Sequence, residues 1–409
     1  MRDIELYAQI LGVQAPWNVD CVDFLKEDKE VRVTVSLSKA GYRCPVCGKP
    51  CNGYDVKRRR WRHLDTCQYS TFIEADVPRV GCKEHGVHSV GVPWAEGKSR
   101  FTVLFERLVI DLLHDAPISV VAEWTGLSWD QVDGIQSRAV ARGLARREMK
   151  PVQDIGVDET SARKGHSYLT IVHDKATGNV IHVGTGRDTE TIDGFYREWK
   201  DHLWAVRSVS MDLWPAFIGG ARKWLEDADS RICFDRFHVA GFFGKAVDQV
   251  RKRECRDLKA EGDESLKGTK YDWLRNGNNI DGRSRRRFTE LTRQNLKTAR
   301  AWAIKETASR LWDYTSETWA GKAWRSLFGW MWRSRLSPMV DLARSLKRHF
   351  YGIMNAIMLG IDNGMAESIN SKIQKVKKMA CGFRNAGRFR NAIMFHFGGL
   401  DLYPALPTR

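Results

Sequence analysis

The sequence predicts a multidomain α/β protein, and three observations carry that expectation. Between Ile155 and Ala260 the pattern runs three strands, helix, strand, helix, strand, helix. That is the order of an RNase H-like α/β core with a mixed sheet. After it comes a basic, helical, tryptophan-rich stretch. Before it lie paired cysteines and then a helical segment with a turn signature.

The bulk composition sets limits. At 409 residues the chain is too long for one ordinary core. A hydrophobic content of 43% with 28% charged residues describes a folded chain. No apolar run approaches the ~20 residues of a membrane span, so no membrane partner is expected. The opening MRDIELYAQILGV is acidic where a signal peptide is positive, which predicts a cytoplasmic location. The net charge of +16 points to a polyanionic partner, most often nucleic acid. Nine cysteines in such a chain favour metal ligation of a subset over disulfides.

In order, residues 1–98 read as an N-terminal β/zinc-ribbon domain. It opens with a hairpin from Trp17–Phe24 and Val31–Val35. Residues 99–150 turn helical. The strands Ile155–Asp158, Tyr168–Val172 and Val180–Val183 follow, then a helix near 189–202. The strand Val206–Met211, a helix near 215–227, the strand Arg231–Phe234 and a helix over His238–Ala260 complete the first part of the core, 151–261. Residues 262–355 form the expected all-helical insertion, with seven of the sixteen tryptophans between Trp273 and Trp332. Most of these belong to helical core, although Trp324 or Trp330 has the chemistry to stack on an unpaired base. A last helix from about Asn363 and a tail make up 356–409.

Cys44-Pro45-Val46-Cys47-Gly48 has the spacing of a zinc knuckle, and Cys82-Lys83-Glu84-His85-Gly86 supplies a second half. The 34 residues between the halves accommodate strands at Lys57–Leu64 and Ser70–Val80. Cys44, Cys47, Cys82 and His85 are the expected ligands of a structural Zn²⁺, with Cys51, Cys67 and His88 as rivals. The run Lys57–Arg62 lies between the halves, and Arg58, Arg59 and Arg60 are candidate phosphate contacts.

Residues Ile118–Val132 have the shape of a helix-turn-helix. The first helix ends at Gly126, Leu127 packs the turn, and Ser128 caps a second helix with Gln131 at the capping-box position. Arg138, Arg142 and Arg146 follow at four-residue spacing on one face, as DNA contacts would.

Asp158 and Asp212 each end a strand, and those strands are neighbours in an RNase H-like sheet. Glu367 lies in the first turn of the last helix. Three carboxylates meeting there suit a pair of Mg²⁺ (or Mn²⁺) ions about 4 Å apart. Glu159 rivals Asp158, but strand alternation turns it to the opposite face.

With these residues in view, the chain resembles the bacterial insertion-sequence transposases of the ISL3 type. The likeness rests on Asp158-Glu159-Thr160, Met211–Pro215, Phe234–Val239, Ala366–Gln374 and Gly382–Asn385, with the knuckle and helix-turn-helix in the same order. It covers about residues 40–395, departing only at Ser368, where glycine is commoner, and at Cys381, where arginine often stands. The resemblance implies a DDE transposase, a polynucleotidyl transferase with Asp158, Asp212 and Glu367 as catalytic metal ligands. It also marks Asp235 and His238 as catalytic-site residues near the scissile phosphate. Partners would be the terminal inverted repeats of the element and target DNA, bound by a homodimer or larger assembly, nucleoid-associated when on DNA. Lys372, Lys375 and Arg384, close to the triad, are further DNA candidates. A nuclease of the same fold that cuts without joining, and a catalytically silent DNA-binding regulator, are the alternatives.

Overall fold

A computed structural model describes residues 3–163, 167–279, 282–294, 296–361 and 364–406, excepting the side chains at 278, 283, 284 and 287. Asn363, the expected start of the last helix, lies outside them. The chain divides into two compact units, residues 1–147 with 400–409, and residues 148–399. Among the described residues no helix is long and apolar enough to cross a membrane.

The first unit opens with α1 (Asp3–Leu11), β1 (Trp17–Leu25), β2 (Glu30–Leu37), β3 (Asn52–Arg62), β4 (Ser70–Cys82) and β5 (Gly86–Ser89). The sheet runs β1-β2-β4-β3, and β5 also pairs with β4. The alternating apolar residues Val31, Val33 and Val35 point inward to meet Trp17, Trp61, Ile73 and Trp94 in the core. Three helices follow: α2 (Val103–Asp115), α3 (Ile118–Thr125) and α4 (Trp129–Arg146). The turn between α3 and α4 forms as its sequence dictates. Gly126 takes the left-handed conformation with φ of 68°, and Ser128 and Gln131 close a reciprocal capping box.

The tail beyond Leu400 was expected to belong with the last helix of the core. It belongs to the first unit instead. Arg142 donates to the Leu402 carbonyl at 2.7 Å, Arg107 to the Pro404 carbonyl at 3.2 Å, and Tyr403 Oη to Asp111 at 2.6 Å. Bonds spanning more than 250 residues leave no local trace in sequence.

The second unit begins with β6 (Asp154–Arg163), β7 (Ser167–Asp174) and β8 (Val180–Thr185), an antiparallel meander. Then come α5 (Thr189–Glu198), β9 (Ser208–Met211), α6 (Pro215–Trp224), α7 (Ala228–Arg231) and β10 (Ile232–Phe234). Spatially the sheet runs β10-β9-β6-β7-β8, with β9 parallel to β6 and β10 parallel to β9. From there to residue 358 the described elements are helical: α8 (Arg236–Ala260), α9 (Lys270–Leu274), α10 (Gly282–Arg293), α11 (Lys297–Arg310), α12 (Glu317–Arg333), α13 (Ser337–Arg348) and α14 (Phe350–Met358). The unit ends with α15 (Gly364–Met379) and α16 (Ala386–Phe397).

The helical stretch was expected as a domain of its own, yet its core is continuous with that of the sheet. One apolar cluster runs from Ile155, Val209 and Phe234 through Trp273, Ile304 and Trp324 to Met339 and Ile353. Trp273 and Trp324 are fully buried within it. Trp324 therefore has no face to offer a base, whereas Trp330 remains 37% exposed.

Candidate catalytic and metal sites

The acidic site is built by strand register. Asp154, Ile155 and Gly156 of β6 lie opposite Ser208, Val209 and Ser210 of the parallel strand β9. Extending that offset by two residues brings Asp158 opposite Asp212, just beyond the end of β9. Between Val157 and Asp158 the side chains alternate, so Val157 enters the core and Glu159 turns away to pair with Arg187 at 3.4 Å. Gly156 matters to this register. A Cβ there would come within 2.2 Å of the ring of His173, its partner on β7.

The next parallel strand adds the histidine. Asp235 follows β10 and caps α8, accepting from the Phe237 amide at 2.6 Å. One turn into that helix, His238 Nδ1 makes a short ion pair with Asp212, and its Nε2 stands 3.7 Å from Asp235. Ligand atoms of Asp158, Asp212 and His238 all lie within 4.8 Å of one another. Burial pushes the Asp158 carboxyl up to about 7, opposed by the Glu159 amide and reinforced by the charge of Asp212. For His238 burial works against protonation. The hydrogen bond to Asp212 and the charges of Asp212, Asp235 and Asp158 outweigh it, raising the imidazole to about 9.

Helix α15 docks on β6 through a polar stripe that sequence reasoning missed. Asn370 donates to Asp158, Gln374 to the Thr160 hydroxyl at 2.8 Å and the Lys377 ammonium to the Ser161 carbonyl at 2.6 Å. Glu367 was expected to meet the two aspartates at one point. Among the described residues its carboxylate is not part of that group; Glu367 is exposed in the first turn of α15. It precedes Asn370 by three residues, about 4.5 Å along the axis and about 60° around it. The signal for Asn370 was available: it is the i+3 neighbour of a suspected ligand. Lys372, Lys375 and Arg384 are exposed.

The acidic site suits a divalent cation by its donor chemistry, two carboxylates at the rim of a sheet. Asn370 Oδ1, buried beside Asp158, meets no donor among the described residues. Such an atom accommodates a cation or its water.

The thiolate site in the first unit is more complete. Cys44, Cys47, Cys82 and His85 converge within 4.8 Å. The Cys47–Cys82 sulfurs are 3.8 Å apart, and His85 Nδ1 lies 3.5 Å from Cys82 and 3.9 Å from Cys44. Tetrahedral zinc with bonds of about 2.3 Å separates its sulfurs by about 3.8 Å, so the set fits that ion. The hydrogen bond with His85 pulls the Cys82 thiol down to about 6. The rivals stand aside: His88 Nε2 meets the His85 carbonyl at 2.6 Å, Cys51 the Lys49 carbonyl at 3.4 Å, and Cys67 is exposed.

The basic residues divide. Arg138, Arg142 and Arg146 do share one face of α4, but their guanidinium groups are engaged in ion pairs. Arg138 and Arg142 hold the buried Glu106, at 2.6 and 3.1 Å, and Arg142 also holds Glu96 at 2.9 Å. Arg146 reaches Asp401 at 3.0 Å and the Tyr403 carbonyl at 2.7 Å. The expected basic stripe is ion-paired within the first unit, half-open to solvent at Arg138 and Arg146, because helical spacing fixes which residues share a face but not what pairs with them. Arg58 and Arg60 are exposed on β3 yet paired with Glu74, at 2.7 and 3.7 Å, and Arg59 lies over Trp61.

A zinc-ribbon fold, a helix-turn-helix and an α/β domain with an acidic strand-end site, in this order, are the parts of a DNA transposase. The comparisons with known proteins agree. A transposase model of the ISL3 type matches residues 155–393, the helix-turn-helix domain of transposase family ISL3 matches residues 91–140, and the zinc finger of IS204/IS1001/IS1096/IS1165 transposases matches residues 41–85. The chain belongs to the ISL3 family of transposases. It is 28% identical to the transposase for insertion sequence element IS1557 of Mycobacterium tuberculosis, over 100% of this chain and 98% of that one. It is 25% identical to the transposase for IS1001 of Bordetella parapertussis, over 87% of this chain and 89% of the relative.

Proposed function

We propose that this transposase cleaves DNA at the ends of an insertion sequence and joins the freed 3′-hydroxyl to target DNA, through Asp158, Asp212 and Glu367 on an RNase H-like core. The observation that carries this reading is the register of β6 and β9, which sets two carboxylates side by side at the ends of parallel strands. The strand order β10-β9-β6-β7-β8 and the run of helices inserted before α15 support the core and its insertion.

Asp158 and Asp212 would hold divalent cations, Mg²⁺ or Mn²⁺, with Glu367 from α15 as the third carboxylate. When bound, such ions activate the attacking oxygen and stabilise the leaving one. Asn370 orients Asp158 by donating to one carboxylate oxygen while the Glu159 amide holds the other. His238, protonated at neutral pH, offers an N–H and positive charge beside the reacting phosphate, and Asp235 orients it from the helix cap. Cys44, Cys47, Cys82 and His85 would hold structural Zn²⁺ and so fix the β-domain that addresses the terminal inverted repeats. Joining two ends calls for a homodimer or larger assembly on DNA.

The test is cleavage and strand transfer on labelled DNA carrying the element's own ends with Mg²⁺, wild type against Asp212→Asn. Cutting and joining that vanish in the variant establish the reading. Cutting without joining would make the protein a nuclease, and specific binding without cutting by either protein a silent regulator.

A further inference from the structure

Several cations of the first unit that meet no carboxylate among the described residues are gathered in one groove, away from α4. A cavity of about 580 Å³ opens between β3, the loop before α2 and the turn of the helix-turn-helix. Seven cationic side chains line it, five from β3 (residues 57–60 and 62) joined by Lys98 and Arg100. No carboxylate is among its lining residues. The opposite rim is the Thr125–Leu127 turn with Gln131.

The groove is fixed by backbone bonds. The Arg62 amide donates to the Arg100 carbonyl and the Thr102 amide to the Arg62 carbonyl, each at 2.9 Å. These bonds clamp the loop carrying Lys98 and Arg100 to the end of β3. Arg59 lies over Trp61 and donates to the Ser99 carbonyl at 3.4 Å; the other six cations are of two kinds. Arg58, Arg60 and Arg62 are held by Glu74, Glu30 and Asp65. Lys57, Lys98 and Arg100 are exposed and have no ion-pair partner among the described residues. The paired arginines shape the wall, and the free cations leave a net positive field in the trough.

We propose that this groove is a phosphate track for one strand of duplex DNA, with Lys98, Arg100 and Lys57 as its principal phosphate contacts. The inference rests on the proposed function in taking DNA as the partner. The dimensions agree: β3 from Lys57 to Arg62 spans about 17 Å, the axial rise of about five base pairs. A strand seated there runs past the Thr125–Leu127 turn, so that the N-terminus of α4 faces the adjoining major groove. In a helix-turn-helix the first residues of the second helix read bases. The track thus supplies the sequence-independent contacts that the buried Arg142 does not.

The experiment uses the full-length, zinc-loaded protein and a labelled random-sequence duplex, which reports phosphate contacts alone. Binding is measured from 50 to 300 mM salt (about the range where counterion release is resolved) for wild type, for Lys98→Ala with Arg100→Ala, and for a charge-matched control, Lys26→Ala with Lys39→Ala, two exposed lysines outside the groove. The groove variant is expected to flatten the log–log salt slope by about 2 and to weaken binding about 10-fold or more at 100 mM salt. The control is expected to match wild type. Bound zinc and a thermal melt equal to wild type establish that the groove variant is folded. A folded groove variant with wild-type slope, or a control that loses as much, overturns the proposal. So does a groove variant that loses binding to single-stranded RNA while keeping duplex DNA, which would assign the trough to RNA. Cleavage by wild type and Asp212→Asn is scored separately. Wild-type cutting with an unchanged groove-variant slope removes the track alone, and the expected slope change in a protein that cuts nothing removes the catalytic reading alone.

Discussion

Among the described residues two clusters of side chains could hold a metal ion, and they are built in opposite ways. The thiolate site takes two pairs of donors, each pair held within four residues, and its sulfurs already stand 3.8 Å apart. The acidic site takes donors from β6, the end of β9 and α8. In the first, local chain geometry does most of the positioning. In the second, sheet register and helix docking do it, and the carboxylates are held by an amide, a histidine and an asparagine. A complete tetrahedral set leaves no position for a reactant, which suits a structural role. An open, protonatable set suits chemistry.

If that contrast holds, changes at the acidic site should remove activity and spare binding. Asp212→Asn is expected to cut cleavage by about 10³-fold or more, several kcal/mol of charge stabilisation, with duplex affinity unchanged by fluorescence anisotropy. At the thiolate site the order should reverse. Cys82→Ser is expected to lower bound zinc from about one ion per chain to almost none. Limited proteolysis should then open residues 41–85 first, with DNA binding lost alongside.

Register can be probed directly. Gly156→Val would drive a side chain into His173 and push β6 from β7, costing about 1–3 kcal/mol in denaturant unfolding. Its cleavage rate should fall beyond what the lost stability explains, because Asp158 follows two residues later. Asn370→Ala removes one donor to Asp158 and is expected to slow cleavage about tenfold, with about 1 kcal/mol lost in stability. Equal rates for Asn370→Ala and wild type would break the claim that α15 positions the aspartate.

The smallest expected effect is in pH. Asp158 is raised to about 7 in the folded chain against an ordinary value near 4, so the folded state holds the extra proton between them. The stability it contributes is complete below about pH 4 and is lost as pH rises through about 7. His238, raised to about 9, contributes stability that is complete below about pH 6.5 and is lost as pH rises through about 9. The metal-free melting temperature should therefore decline from pH 5 to pH 8, and the increment given by Mg²⁺ should grow over that interval (about the range set by these two groups). An increment independent of pH would show that Asp158 is not the titrating ligand.

Several features were legible in the residues themselves. The knuckle spacing singled out four donors that the fold brings together, because two residues between ligands is a local constraint. The capping box at Ser128 and Gln131 and the left-handed turn at Gly126 formed as read, since both act within one helical turn. Alternation correctly separated Asp158 from Glu159. The order of strands and helices from β6 to β10 was likewise a matter of local periodicity, whereas α16 stands where only a tail was expected after the last helix.

What the tertiary structure alone decided is where long-range packing intervenes. The face shared by Arg138, Arg142 and Arg146 followed from helical spacing, but Glu106 and the returning tail supply the partners that hold its guanidinium groups. The helical stretch was readable as helical, but not its single core with the sheet. Asn370, Gln374 and Lys377 gained a role only because α15 lies along β6. Sequence by itself determined most of the elements, the knuckles and the chemical type of each donor, because those depend on neighbours a few bonds away. Which surfaces stay open, and how close Glu367 stands to Asp158 and Asp212, depends on contacts between segments up to hundreds of residues apart.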